Sequence, residues 1–272
     1  MKILPPKPSA LSIPKYGESA INEDAVILND NIAAISDGAG GGGLYAEKWS
    51  RYLVSKLPNT PIKNFQEFDL WIGSIWEDFY VDCEKLAKQA GSLFLNKFYD
   101  EGSFATIAIV WKQDNHIFWA SYGDTVILKY SYSSKILKWY GYSVESLDLP
   151  PYLVGCIFPL NDVGFSCGQE QIASNDEIVF IASDALAMYI IYMYMLENIA
   201  EYKDTIRSII DSHTKTSNYI STALKLKKNS FEKSVISKLI SCSKNSANFK
   251  RHLYSLERKH LIANDDYSLI IL

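Results

Sequence analysis

The sequence has few residues suited to soft-metal or redox chemistry. It contains 4 cysteines and 4 histidines in a chain of 272 residues. No CxxC pair occurs and the histidines show no ligand spacing, which argues against zinc ribbons and thioredoxin-type motifs. Scattered cysteines in a chain of this length also make a disulfide framework a poor interpretation. We therefore expect a reduced, cytoplasmic setting.

Two catalytic motifs are also absent. No cysteine is followed six positions later by the arginine that a cysteine-based phosphatase needs to hold its phosphate. No G-x-S-x-G elbow occurs, which argues against a serine hydrolase of that type. These absences exclude two common routes to hydrolysis and leave metal-assisted chemistry open.

An excess of positive charge is missing as well. The net charge is -4 and the pI is about 5.6, so a dedicated nucleic-acid binder is not expected. The basic stretch at 225–259 has few, widely spaced aromatics and is more typical of the solvated face of surface helices. A substrate-docking role for Lys227 and Lys228 is a separate hypothesis.

Export and membrane signals are weak. Prolines interrupt the first 19 residues where a signal peptide needs an apolar helix, so we expect no export signal. The apolar run 178–196 is long enough to suggest a span, but Asp184 near its middle would be costly in lipid. We interpret the run as a buried strand followed by a buried helix and expect no membrane partner; a membrane anchor stays the alternative.

Apolar periodicity predicts strands and helices in alternating groups. Strand-like segments are 24–29, 31–36, 103–112, 116–123, 125–132, 177–183 and 267–272, and helix-like segments are 45–57, 64–90 and 185–200, with shorter ones between 203 and 259. Turn residues in WKQDNHIF and SYGDTVIL predict hairpins and antiparallel pairing. The pattern predicts an α+β sandwich over 1–272 as a single domain, with the terminal strand paired inside a sheet.

Carboxylates border many of the predicted strands. They are Glu23, Asp24, Asp37, Asp124, Asp184, Asp265 and Asp266. If the strands lie side by side, these side chains converge at one edge and repel each other unless a cation neutralises them. An oxygen-only ligand set favours Mg²⁺ or Mn²⁺, and a pair of such ions can activate water and clamp phosphoryl oxygens.

The glycine run after Asp37, in AAISDGAGGGG (33–43), fits this hypothesis. Glycines would let a backbone carbonyl, that of Gly38, approach a metal ion and leave room for water and phosphate. Each aspartate taken alone has a simpler interpretation as a turn former or helix cap. For Asp124 the turn-forming and metal-binding interpretations stay equally open.

Six segments occur in the order found in a known family. They are NEDAV (22–26), ISDGAGG (35–41), GSFATIAIV (102–110), GDTVILKY (123–130), IASDALA (181–187) and NDDYSLIIL (264–272). Together they resemble the PP2C-type, metal-dependent serine/threonine protein phosphatases (the PPM family) from about residue 10 onward. The resemblance implies an αββα sandwich of two antiparallel sheets and a binuclear Mn²⁺ or Mg²⁺ site.

The resemblance also implies roles for individual residues. Asp37 would bridge the two metals, the Gly38 carbonyl would bind one of them, and Asp184 and Asp265 would ligate the other. Glu23 and Asp24 would hold metal-associated waters, and Asp124 corresponds to an aspartate linked to a weaker third ion. A water between the main metals would attack the phosphorus in line. The substrate would be a protein phosphorylated on serine or threonine by a matching kinase.

The sequence departs from the family pattern at several positions. The arginine that grips the phosphate is replaced by Ser19, and Lys15 is the nearest upstream cation able to substitute for it. Ala185 stands for a glycine and Asp266 for an asparagine, and the arginine usual after the GD motif is missing. A mostly helical insert at about 186–262 is expected beside the site, influencing substrate choice. A weak or inactive member acting as a binding module is the alternative.

Overall fold

A computed structural model of the chain describes residues 6–17, 21–141, 143, 149–172, 176–226 and 230–272. Ser19, Lys227 and Lys228 lie outside the described residues, so the roles suggested for them stay predictions. Within the described residues, the strands form two antiparallel sheets with helices on the outer face of each. The predicted αββα sandwich is thereby confirmed.

The first sheet contains the terminal strand in its interior. Its order is β1 (Ser9–Ile13), β11 (Tyr267–Ile271), β10 (Glu177–Ala182), β6 (Val126–Ser131) and β7 (Leu137–Tyr140). The strand β11 therefore has a partner on both sides, with Leu11 opposite Leu269 and Ile181 opposite Ile270. This placement confirms that the apolar C-terminal segment pairs inside a sheet.

The second sheet carries the strand that precedes the glycine run. Its order is β2 (Ala25–Leu28), β3 (Ile32–Gly38), β4 (Phe104–Gln113), β5 (His116–Tyr122) and β9 (Phe165–Gln171), and β8 (Val154–Gly155) also pairs with β4. The register places Asp37 on β3 directly opposite Thr106 on β4.

Helices cover both sheets. The helices beside the second sheet are α1 (Ala46–Ser55), α2 (Phe65–Ala90) and α3 (Ser92–Glu101). The helices beside the first sheet are α4 (Asp184–Glu197), α5 (Lys203–Asp211), α6 (Lys215–Leu224), α7 (Ser237–Cys242) and α8 (Ser246–Glu257). A π-helical turn at Glu232–Ile236 precedes α7. A short 3₁₀ turn spans Asp162–Gly164. Local sequence sets some of these boundaries: the side chain of Asn64 accepts a hydrogen bond from the Glu67 amide at the start of α2.

Alternating side chains of the central strands face two different cores. On β3, Ala33 and Ile35 lie between the sheets, while Ala34 packs under α1 and α2. Both faces of these strands are thus buried, which explains why their sequences are continuous apolar runs and not alternating ones. The sandwich holds three apolar layers.

One predicted hairpin is wrong. WKQDNHIF does join the paired strands β4 and β5, but SYGDTVIL carries the chain from β5 in the second sheet to β6 in the first. The partners of β5 are β4 and β9, so β6 pairs with β10 and β7 instead. Gly123, at φ 95°, allows the turn. A Gly-Asp pair predicts a change of direction but not the sheet that the chain enters next.

The apolar run 178–196 folds as predicted into a strand and a helix, β10 and α4. Ser183 is the N-cap residue of α4, and Asp184 is its first helical residue. No helix in the described parts of the chain combines the length and apolar character that crossing a membrane requires.

Candidate metal centre

Strand ends from both sheets bring the predicted aspartates together. Asp37 ends β3, Asp184 follows β10, and Asp124 lies in the crossover between β5 and β6. The hydroxyls of Thr106 and Thr125 lie 2.6 Å apart and are both buried. Because Thr106 is paired with Asp37 and Thr125 follows Asp124, this hydroxyl pair holds the two aspartates at neighbouring positions across the two sheets.

Burial and mutual repulsion raise the pKa values of this group. Burial raises the pKa of Asp37 well above its usual value, and the nearby Asp24 and Asp184 raise it further. Burial likewise raises the pKa of Asp184, assisted by the charges of Asp124 and Asp265. Asp37 therefore lies within electrostatic range of Asp24, Asp124, Asp184 and Asp265.

The remaining members of this group behave alike. Burial raises the pKa of Asp124 to about 6, with a further contribution from Asp265. The pKa of Asp265 is itself raised, chiefly by burial. We refer to Asp24, Asp37, Asp124, Asp184 and Asp265 as the acidic cluster. It concentrates negative charge in a partly buried place, which a cation would stabilise.

Asp24 is the most buried member of the acidic cluster, with only 4% of its surface exposed. Burial raises its pKa to about 7, and Asp266 adds to the effect. Ser268 and Asp37 lie close enough to lower that pKa in part, but among the described residues neither carboxyl oxygen of Asp24 has a hydrogen-bond partner. A buried carboxyl without partners is costly and indicates a group held ready for a ligand.

Asp266 has a different environment from its neighbour Asp265. Its two carboxyl oxygens accept hydrogen bonds from the backbone amides of Lys15 and Glu23, both at 2.7 Å. Asp266 thus fastens the N-terminal segment to the start of β11. The sequence showed only an acidic residue in place of an asparagine, and nothing in the motif indicated this bridging role.

Lys15 and Glu23 lie at the edge of the acidic cluster. The Lys15 Nζ is 3.6 Å from the Glu23 carboxylate. Burial lowers the pKa of Lys15, but attraction to Glu23 and Asp266 outweighs it and the pKa is raised. Burial raises the pKa of Glu23 despite Lys15. Lys15 is therefore a cation placed directly beside the predicted metal ligands.

Arg51 is a second cation near this edge that the sequence motifs did not reveal. From α1 it donates a hydrogen bond of 3.1 Å to the backbone carbonyl of Asn22, the residue before Glu23. The motifs could not indicate that Arg51 lies close to Asn22, because the two residues are far apart in sequence. They are close because α1 packs on β2 and β3.

The glycine run lies against the side chain of Glu23. A Cβ atom on Gly40 would clash with the carboxylate of Glu23 as it stands, so a larger residue there would displace that carboxylate. The Gly38 carbonyl, predicted to bind metal, accepts a 3.2 Å hydrogen bond from the Gly40 amide. The run thus positions Glu23 beside the strand end that carries Asp37.

The helical region also reaches the acidic cluster. Lys215, the first residue of α6, lowers the pKa of Asp265 by its positive charge, and Asp265 contributes to a raised pKa of Tyr219, after burial. The segment between β10 and β11 is therefore within electrostatic range of the cluster at α6, and its influence on substrate choice stays a prediction.

The residues present fit hard divalent cations in their donor chemistry. Every candidate ligand is an oxygen, and the unpaired carboxyl of Asp24 and the mutually repelling aspartates would be stabilised by positive charge. Among the described residues, no three acidic, histidine or cysteine side chains converge closely enough to form a ready metal cage. Binding a cation would require these side chains to turn toward a common point.

Comparisons with known proteins agree with the fold. No family model matches the chain, and no curated protein sequence matches it. Among solved structures, the serine/threonine phosphatase PstP/Ppp of Mycobacterium tuberculosis superposes with a TM-score of 0.54 at 12% identity, over 97% of each chain. The catalytic domain of PstP in complex with 2 manganese ions matches with a TM-score of 0.50 at 12% identity, over 97% of this chain and 96% of that one.

A further solved structure points the same way. The serine/threonine phosphatase Stp1 from Staphylococcus aureus matches with a TM-score of 0.50 at 13% identity, over 98% of this chain and 95% of that one. Identities this low establish similarity of fold, which here extends over nearly the whole length of both chains. The chain therefore has the fold of the PP2C-type serine/threonine phosphatases.

Proposed function

We propose that the protein is a metal-dependent phosphoprotein phosphatase that hydrolyses phosphoserine and phosphothreonine. The acidic cluster carries this proposal, because carboxyl groups from distant strand ends repel one another around Asp37, and a cation would relieve that repulsion. The fold shared with serine/threonine phosphatases supports it. Mn²⁺ or Mg²⁺ would be the cofactor, as two ions with a third at Asp124.

Each acidic residue has a proposed role. Asp37 would bridge two cations, Asp184 and Asp265 would hold one of them, and the Gly38 carbonyl would hold the other. Glu23 and Asp24 would orient water. The bound cations would supply Lewis acidity and neutralise phosphate charge. The high pKa of Asp24 suits a group that must hold a proton or share one with water near neutral pH.

Lys15 is the candidate for holding the substrate phosphate. It lies beside Glu23 at the rim of the cluster, where a dianionic phosphate would meet both the lysine and the cations. Arg51 is the competing candidate, although its guanidinium already donates to the Asn22 carbonyl. Either residue would supply the positive charge that position 19 lacks.

The central test is hydrolysis of p-nitrophenyl phosphate in Mn²⁺ by variants of the cluster. We expect Asp37→Asn and Asp184→Asn to reduce kcat by at least about a hundredfold, because each removes charge from a cation ligand. The exposed Asp69→Asn, on α2, is the matched control and should keep full activity. Full activity in Asp37→Asn would refute the proposed chemistry.

The alternative is a weak or inactive protein that binds a partner through the same fold. The serine at position 19 favours it, since it removes the usual phosphate-gripping arginine. Phosphatase activity in Mn²⁺ that disappears with excess chelator would exclude this alternative. Activity that is absent in Mn²⁺ and Mg²⁺ alike, from a folded protein, would support it.

The proposed partner is a phosphorylated protein with its matching Ser/Thr kinase, in the cytoplasm. All four cysteines are free, and Cys83, Cys156 and Cys242 are buried, which suits a reducing compartment. We also propose that the chain acts as one domain whose helical insert borders the site through α6.

A further inference from the structure

A large cavity lies among the helices outside the first sheet, away from the acidic cluster. It has a volume of about 1030 Å³ and is formed by α4, α6, α7 and α8 with the π-helical turn before α7. Its apolar wall includes Tyr189, Met193, Leu196, Phe231 and Leu256. None of its described lining residues belongs to the acidic cluster, so the proposed hydrolysis does not account for it.

The rim of this cavity is positively charged. It carries Lys233, Lys238, Arg251 and Lys259, all exposed. The only carboxylate among the described lining residues, Glu197, accepts a hydrogen bond from the Phe231 amide. In a chain with a net charge of -4, this local excess of cations is a departure from the overall balance. The rim therefore complements an anion.

A histidine, His252, is among the residues that line the cavity. Its Nε2 atom is shielded from solvent, and among the described residues this atom has no hydrogen-bond partner. Burial, together with the charges of Lys238 and Lys259, lowers the pKa of this imidazole to about 4, so it is neutral at physiological pH. The ring therefore adds no positive charge to the cavity, and the charges that an anion would meet are those of the rim lysines and arginine.

We propose that this cavity binds an amphiphilic organic anion, with an acyl-sized apolar body against the wall and a carboxylate or phosphate head beside the rim cations. The size is that of known small-molecule sites, which combine an apolar lining with a few placed polar groups. The site goes beyond the proposed phosphatase function and does not depend on it.

Calorimetric titration of the full chain in excess chelator tests the site without hydrolysis. The probes are decanoate and decyl phosphate below their micelle concentrations, decanol below its solubility limit, and inorganic phosphate. We expect saturable binding of decanoate, decyl phosphate or both, and much weaker binding of decanol and inorganic phosphate. Whichever of the two amphiphiles binds more tightly shows whether the site prefers a carboxylate or a phosphate head group.

Variants locate the binding. The double variant Lys238→Glu/Lys259→Glu should weaken binding about tenfold, because it reverses two rim charges. Lys85→Glu/Lys97→Glu, on the exposed faces of α2 and α3, is the matched control and should bind normally. Ser255→Trp, which fills the cavity from α8, should abolish binding while circular dichroism shows a folded chain. Activity toward p-nitrophenyl phosphate should be unchanged in Lys238→Glu/Lys259→Glu.

Four results would overturn the proposal. The first three are no saturable binding of either amphiphile, equal binding of decanol and decyl phosphate, and unchanged binding in the Lys238→Glu/Lys259→Glu variant. Inorganic phosphate binding as tightly as decyl phosphate would also refute it, because the apolar wall would then contribute nothing.

Discussion

Two adjacent aspartates before β11 divide their tasks. Asp265 belongs to the acidic cluster, whereas Asp266 is buried and bonded to two backbone amides from the N-terminal segment. Carboxylate acceptors form strong hydrogen bonds, and their loss leaves buried amides unpaired. Asp265 is therefore the candidate for binding a cation, and Asp266 holds the N-terminal segment that carries Lys15 and Glu23.

We expect Asp266→Ala to lower the free energy of unfolding by about 2–4 kcal/mol, because two partly buried amides lose a charged acceptor. Denaturant titration measures the change. Asp266→Asn keeps one acceptor oxygen and should cost less. Asp69→Ala on the exposed face of α2 should cost almost nothing. A loss in Asp266→Ala no larger than in Asp69→Ala would show that this carboxylate does not fasten the segment.

We expect Lys15→Ala to reduce kcat/KM for a phosphopeptide about tenfold, mainly through KM, since a lost charge-assisted contact weakens phosphate binding. Arg51→Ala should have a smaller effect, because Arg51 is engaged by Asn22. Steady-state kinetics of both variants distinguish the two cations. A larger effect in Arg51→Ala would transfer the phosphate-binding role from Lys15 to Arg51.

Because the pKa of His252 is lowered, we expect this residue to make a pH-dependent contribution to the free energy of unfolding. Its folded-state pKa of about 4 lies below the usual value of 6.5, so the unfolded chain binds more protons between these pH values. The contribution of His252 is therefore present above about pH 6.5 and is lost as the pH falls toward 4.

Comparing wild type with a variant separates the contribution of His252 to the free energy of unfolding from the contribution of the carboxylates. Relative to wild type, His252→Gln should show a shallower loss of unfolding free energy between pH 6.5 and pH 4, by about 2 kcal/mol over the range. Urea titrations at several pH values measure it. Parallel pH profiles for the two proteins would contradict a buried, neutral imidazole.

At the scale of elements, a buried ion group joins the two sheets. Lys129 on β6 of the first sheet is 7% exposed, and its Nζ lies 2.9 Å from the Glu170 carboxylate on β9 of the second. Glu177 on β10 lies 3.4 Å away, and the Gln171 carbonyl accepts a further hydrogen bond. Because the partners lie in both sheets, the ammonium fixes how the sheets face each other.

We expect Lys129→Ala to lower the free energy of unfolding by about 3–5 kcal/mol, since it leaves two partly buried carboxylates without their cation. Thermal and denaturant unfolding measure the loss. The exposed Lys85→Ala is the control, with a loss of less than about 1 kcal/mol. A change in Lys129→Ala as small as in the control would mean that the ion group does not join the sheets.

The strands and helices could be predicted where the signal is local. The apolar runs of β3 and β4 and the three- and four-residue spacing in α2 are properties of neighbouring residues, and the structure follows them. The sheet entered after Gly123 could not be predicted, because the choice depends on β9 and β10, far along the chain.

At the scale of the whole molecule, the sandwich brings together strand ends that are distant in sequence. Asp24 and Asp265 are 241 positions apart, yet both raise the pKa of Asp37. The order of motifs predicted which carboxylates to consider. It could not predict the Asp266 hydrogen bonds, the proximity of Arg51 or the cavity around His252, because these depend on tertiary packing of segments without motifs.

The uptake of Mn²⁺ measured by calorimetry tests the central claim most directly. The account predicts saturable binding of about two ions per chain, strongly reduced in both Asp37→Asn and Asp184→Asn but not in Asp69→Asn. A folded chain that takes up no Mn²⁺, or one whose uptake is unaffected by Asp37→Asn and Asp184→Asn, would contradict it.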